Sequence, residues 1–161
     1  MISMLRIDER LIHGQIAMAW SKSLAVSHIV VVNDWVANSD VQKAALKMAS
    51  PANVKFAIRD FEGGVELLND ERSKSLNILV VVKNVKDAKR LVDAVDDIKV
   101  LNLGNIGCID YRPGSKEFSS YVKLTEEEIQ ELTLINEKLP VELQLIPEHP
   151  IKNFSKLLKG E

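Results

Sequence analysis

Two short apolar runs constrain the fold of this chain more than any other feature: His28–Asn33 (H-I-V-V-V-N) and Asn77–Val82 (N-I-L-V-V-V). A strand with one wet face alternates apolar and polar residues, whereas an unbroken run of β-branched and apolar residues buries both faces. Such strands belong in a parallel sheet covered by helices on each side. Ile2–Ile7, Val54–Ile58 and Lys99–Leu103 read as further strands. Helices alternate with them. Gly14–Ser23 carries Ile16, Ala19, Trp20 and Leu24 on one side. The next helix starts at Ser39, with Gln42 at capping-box spacing, and ends near Ser50-Pro51. Phe61–Leu68 and Val85–Val95 follow. Thr125 with Glu128 makes a second capping box, opening a helix that stops near Leu139, before Pro140. Gly104–Gly114 reads as loop, Tyr121–Leu124 as a short strand, Val141–Ile146 as a half-exposed edge strand, and Pro150–Leu158 as a terminal helix. The expected fold is a three-layer α/β domain spanning 1–161, with a mainly parallel central sheet of about six to seven strands and helices on both faces.

In such sheets the functional crevice lies beyond the C-terminal strand ends. That rule selects Asp8–Gly14, Asn33–Asn38, Arg59–Asp60, Lys83-Asn84 and Gly104–Asn105. The first is the densest in chemistry. Arg6-Ile7-Asp8-Glu9-Arg10-Leu11-Ile12-His13 puts one imidazole, two guanidiniums and two carboxylates within eight residues. Guanidinium forks grip two phosphate oxygens at once. His13 stands where a helix begins, and free backbone N–H groups there favour an anion. Gly14 lets backbone approach closely, and Asp8 is suited to hold an arginine or to orient the imidazole. These residues leave three readings open: a solvated loop histidine among ordinary surface ion pairs, a general base, and a phosphoryl acceptor.

Composition narrows the field. A net charge of −2 gives no bulk attraction to nucleic acid, and none is expected as a partner. The single Cys108 makes no internal disulfide and suits a reducing compartment. Arg6, Asp8, Glu9 and Arg10 interrupt what would be the apolar core of a signal peptide, and no apolar run reaches the ~20 residues of a membrane span. A cytoplasmic protein is expected, reaching the inner face of a membrane only through partners. No Walker loop, dinucleotide fingerprint or clustered metal ligands occur, so no cofactor or metal is expected, and ATP does not suggest itself as direct donor.

The stretch Arg6–Gln15 closely resembles the active-site loop of the IIB subunits of the mannose/fructose/sorbose family of the bacterial sugar phosphotransferase system. Val31-Val32-Asn33-Asp34 with Val36-Ala37, Asn102-Leu103-Gly104-Asn105 and Val122–Glu126 extend the resemblance over roughly residues 2–158. It implies a phosphocarrier enzyme with a phosphohistidine intermediate. His13 would accept the phosphoryl group, on Nδ1, from a IIA phosphohistidine. It would pass it to a sugar, a hexose or amino sugar, during uptake through the membrane subunits IIC and IID. Arg6 and Arg10 match the family's phosphoryl-holding arginines, Asp8 its loop acid, and Asp34, Gly104 and Asn105 neighbouring pocket loops. A homodimer is the oligomeric expectation. Glu9 stands where the family often has aspartate, Trp35 where a polar residue is commoner, and Val85 where proline is frequent; the loop Asn105–Lys116 is slightly long. Trp35 is expected to pack, with partner or sugar docking as its alternative.

Two other function classes remain. A receiver-type module would use Asp8-Glu9, Asp60 and Lys83 and carry an alkali-labile aspartyl phosphate. A non-catalytic regulatory domain would bind an anion at His13 without transferring it. His28, His149 and Cys108 have no phosphate-binding neighbours in sequence and are expected to be structural or solvent-facing.

Overall fold

The computed structural model describes residues 1–160. β1 (Ile2–Asp8) leads to α1 (Gly14–Ser23), β2 (His28–Val32), α2 (Asp34–Ala37), α3 (Asp40–Ala49), β3 (Lys55–Arg59) and α4 (Phe61–Asn69). A 3₁₀ turn at Glu71–Ser75 precedes β4 (Ile78–Val82), α5 (Val85–Ala94) and β5 (Leu101–Asn105). A hairpin of β6 (Lys116–Ser119) and β7 (Val122–Leu124), then α6 (Glu126–Asn136), β8 (Val141–Leu143), β9 (Lys152–Asn153) and α7 (Phe154–Leu158), complete the order. The main sheet has seven strands in the order β3-β2-β4-β1-β5-β8-β9. Every pairing is parallel except that of β9 with β8.

Two apolar layers flank this sheet, giving the expected three-layer architecture. On one side Met4, Ile29, Val31, Leu79 and Val81 pack under α1, α2 and α3, with Trp20 as the largest buried contact. On the other, Leu5, Ile7, Val30, Val80, Leu101 and Leu103 meet α4, α5, α6 and α7. The two apolar runs are the interior strands β2 and β4, and all five residues of β4 are buried. The helices start where the sequence places caps. Ser39 Oγ accepts from Gln42 N at 3.3 Å. Thr125 and Glu128 form both halves of their capping box.

Several boundaries differ from the sequence reading. Val141–Ile146 is not the edge: β8 is three residues long, lies between β5 and β9, and fully buries Val141 and Leu143. Its alternation reflects one half-buried polar residue, Glu142, between two buried apolar ones. The terminal segment begins as the antiparallel edge strand β9 and turns helical only at Phe154. Gly104 lies inside β5, which runs on to Asn105. Part of the expected 104–114 loop is therefore strand, and the hairpin strand β6 was not anticipated. In α1 the buried face holds Ala17, Trp20 and Ser21, so Ala19 is turned partly outward.

β1 and β5 are neighbours whose onward connections lead to opposite faces: α1 covers one side of the sheet and α6 the other. The crevice required at such a switch point opens between their C-terminal ends.

Candidate functional site

The chain turns sharply after β1. Leu11 N donates to the carbonyl of Asp8 at 2.9 Å, and Leu11 adopts φ +60°. Leu11 and Ile12 both drop their side chains into the core. Their burial anchors the loop and leaves the next residue, His13, exposed. His13 is the N-cap of α1, with extended backbone (φ −135°, ψ 92°) and a side chain that makes no capping bond. Gly14 follows at φ +32° as the first helical residue. The imidazole is thus uncommitted, at the helix end where backbone N–H groups lack intrahelical acceptors and the dipole is positive.

Beneath it lies a buried ion network. Asp8 is 1 % exposed and accepts from two arginines. Its Oδ1 takes the Arg10 backbone N at 2.9 Å and Arg10 Nε at 3.1 Å; its Oδ2 takes Arg10 Nη2 and Arg6 Nη2, each at 3.2 Å. Arg10 is therefore fixed by a two-pronged contact on one edge of its guanidinium while the side chain remains 22 % exposed. Arg6 is different. It is 2 % exposed. Its Nη1 donates to Asn102 Oδ1 and to the Gln144 carbonyl, and its Nη2 also donates to the Leu145 carbonyl at 3.1 Å. Its plane lies 5.4 Å from the Trp20 ring centroid, and Trp20 Nε1 donates to the same Leu145 carbonyl. Burial pulls the Arg6 guanidinium down to about 10, against the upward pull of Asp8. It keeps its charge at neutral pH.

Gly104 explains how a guanidinium fits there. A Cβ at this position would fall inside the van der Waals radius of the Arg6 head group, so the close approach requires glycine. Asn105 is aligned with Asp8 across the β1–β5 ladder, and its carbonyl accepts from Glu9 N at 2.9 Å.

The structure brings Arg6, Asp8, Arg10, His13, Gly14, Gly104 and Asn105 to one end of the β1–β5 pair. Asp8 takes the first of its two anticipated roles, holding arginines rather than orienting the imidazole. Asp34 is engaged elsewhere: its Oδ1 accepts from Phe61 N at 2.8 Å, and its Oδ2 lies 4.0 Å from Arg90 on α5. It serves the opposite layer. Trp35 does not pack as expected; it is 64 % exposed. Asp60 caps α4 by accepting from Gly63 N, and Asp8 is consumed by its arginines, so two of the carboxylates of a receiver-type site are otherwise occupied. The Cys108 thiol is pushed up by partial burial and by the Glu9 carboxylate, which suits an inert side chain.

Sequence reasoning passed over four contributors. Trp20 was read only as helix packing. Asn102 and Gln144 bond to or near Arg6 from positions 96 residues or more away in the chain. A detectable signal existed for Asn102, a lone amide between two core leucines in L-N-L. Glu9 was noted only for its charge, yet its carboxylate accepts from four consecutive backbone amides, Gly107 to Asp110.

Comparison with known proteins identifies the family. The family described as PTS system sorbose subfamily IIB component matches residues 2–161. A Streptococcus pyogenes protein named "Probable phosphotransferase enzyme IIB component" is 36 % identical, covering 98 % of this chain and 99 % of the relative. The mannose-specific EIIAB component of Escherichia coli is 31 % identical over 84 % of this chain, which corresponds to 41 % of that longer protein. The crystal structure of the IIBSor domain of the Klebsiella pneumoniae sorbose permease superposes with a TM-score of 0.89 at 27 % identity, covering 99 % of this chain and 96 % of that one. No helix among the described residues is long and apolar enough to cross a membrane. With the match spanning the His13 loop, both sheet faces and β9, the chain belongs to the sorbose-subfamily IIB components of the phosphotransferase system, the phosphotransfer components of sugar uptake.

Proposed function

We propose that His13 is the phosphoryl carrier of this IIB component. The observation that carries the reading is an exposed imidazole at a helix start, on the same short loop as an arginine already fixed by a buried carboxylate. A neutral ring nitrogen of His13 attacks the phosphorus of a IIA phosphohistidine. The new N–P bond forms as the donor's N–P bond breaks, and the donor imidazole leaves with the electron pair. In the second step a sugar hydroxyl oxygen attacks the same phosphorus, loses its proton, and restores the free His13 ring. Phosphoryl transfer asks a protein mainly for positioning and charge stabilisation. The α1 amides and Arg10 provide both.

The two arginines divide the work. Arg10 has a partly exposed guanidinium and is the one available to oxygens on phosphorus. Arg6 is committed to Asp8, Asn102 and two carbonyls, and acts as the buttress that fixes Asp8, which in turn fixes Arg10. Gly104 and Asn105 support that floor, and Gly14 clears the approach to the helix amides. The donor is a IIA protein or domain, in keeping with the fused EIIAB relative. The acceptor is a hexose or amino sugar delivered by IIC and IID membrane subunits, which hold the protein at the inner face of the membrane.

Incubation with phosphorylated IIA, followed by proteolysis and mass mapping, tests the reading. It requires an acid-labile, alkali-stable phosphoryl group on the peptide containing His13. A phosphoryl group on any other residue, or an alkali-labile one, overturns it. Arg10→Gln should slow transfer roughly 100-fold by removing a fixed charged donor. The fold should survive, since Asp8 keeps Arg6 as countercharge. Stopped-flow transfer rates alongside a melting curve check both halves of this expectation; an unchanged rate removes Arg10 from the site.

A further inference from the structure

Beyond the Ile106 bridge to β7, the loop after β5 is held in two places: Arg112 bonds Glu128 and the Lys123 carbonyl at its far part, and a side chain from the acceptor loop takes its near part. Glu9 follows Asp8 directly, and its backbone N is already bonded to Asn105. Its carboxylate enters a concave row of four amides: Gly107 N at 3.3 Å and Asp110 N at 3.1 Å on Oε1, Cys108 N at 2.9 Å and Ile109 N at 2.8 Å on Oε2. Consecutive N–H groups converging on one point make an anion-binding nest. Gly107 makes the curvature available. Its φ is +77°, and a Cβ there would stand 2.6 Å from the Lys123 carbonyl. The anion here is part of the protein, so the nest serves as a clamp rather than a vacancy.

What the clamp holds is informative. Ile109 is 68 % exposed and Tyr111 60 % exposed, two large apolar side chains on a loop whose backbone is bonded to Glu9 of the His13 loop. Nothing in the fold of the domain requires them to face water. A protein that presents a phosphohistidine to His13 has to cover the acceptor loop, and the Ile109 backbone is bonded to Glu9 of that loop at 2.8 Å.

We propose that Glu9 is a positioning residue for phosphoryl transfer: through its four-amide clamp it holds Ile109 and Tyr111 in place as a contact strip for the incoming phosphorylated IIA protein. This rests on His13 being the acceptor. Glu9 touches neither phosphorus nor the imidazole in this role. It acts on the binding of the donor protein and not on the reacting atoms.

Initial rates of His13 phosphorylation against concentration of phosphorylated IIA separate the two. Glu9→Ala should raise KM for the donor protein by about tenfold, with kcat changed little, the pattern of lost binding. The surface double variant Ile109→Ala/Tyr111→Ala should raise KM similarly in a wild-type background and add little to Glu9→Ala, because both remove the same contact. Formate, a small carboxylate that fits the emptied nest, should lower KM again in Glu9→Ala and leave the double variant unchanged. The inference is overturned by an unaltered KM in either variant, by a fall confined to kcat, or by a KM that formate does not move. A wild-type protein that takes no phosphoryl group on His13 is instead the failure of the preceding reading. One that is phosphorylated on His13 while Glu9→Ala keeps the wild-type KM is the failure of this one alone.

Discussion

His13→Ala should abolish transfer from phosphorylated IIA, a loss of at least about 10⁴-fold, because it removes the proposed nucleophile of the covalent intermediate. The same change should leave the fold almost untouched. The ring is exposed and makes no capping bond, so its removal costs no packing and no hydrogen bond within the chain. Surface changes of that kind usually stay within about 0.5 kcal/mol, which for a domain of this size moves the melting temperature by about 2 °C or less. Transfer of a radiolabelled phosphoryl group and differential scanning calorimetry on one preparation give both numbers. The pairing of a lost rate with an unchanged melt separates a chemical role from a structural one. Residual transfer within tenfold of wild type would mean that another side chain carries the phosphoryl group.

Asp8→Ala should do the reverse, and lose the transfer rate as a consequence of lost structure. Asp8 neutralises Arg6, which stays 2 % exposed and charged. Deleting one partner of a buried pair leaves the other uncompensated, at about 3–5 kcal/mol. That is a large share of the roughly 5–15 kcal/mol that holds a domain together, and it corresponds to a fall in melting temperature of about 10 °C or more. The loss should be partly reversed in Arg6→Met/Asp8→Ala, since the second change removes the stranded charge and leaves an apolar stem beneath Trp20. Urea midpoints for the wild type, the two single variants and the double variant close the cycle. If Asp8→Ala melts with the wild type, the network is not a stabilising element.

The contrast between these two residues also shows how far sequence reaches. β2 and β4 were legible because an unbroken apolar run has one physical solution, burial on both faces. α3 and α6 were legible at their starts because side-chain caps obey fixed spacing. The acceptor loop was legible as chemistry, since few structural reasons gather two arginines, two acids and a histidine in one turn. Arg6 and Arg10 looked equivalent, however, because burial is set by position across the sheet. Arg6 lies within β1, on the face under Trp20; Arg10 lies beyond the strand end, where the guanidinium reaches solvent. Asp34 follows the C-terminal end of β2 as the first residue of α2, and its side chain turns to the α4–α5 layer, a direction that sequence position does not set. β7 was legible as a short strand, but β6 and β9 are too short for periodicity to register. The Glu9 clamp joins segments 98 to 101 residues apart in sequence and has no local signature.

The acceptors of Arg6 at Gln144 and Leu145 lie 138 and 139 residues downstream of it. During synthesis the imidazole emerges from the ribosome long before the carbonyls that lock the guanidinium beneath its loop. A nascent chain therefore carries the imidazole before it has the carbonyls that hold Arg6 beneath it. Any copy that stops short of Gln144 lacks two of the acceptors that hold Arg6.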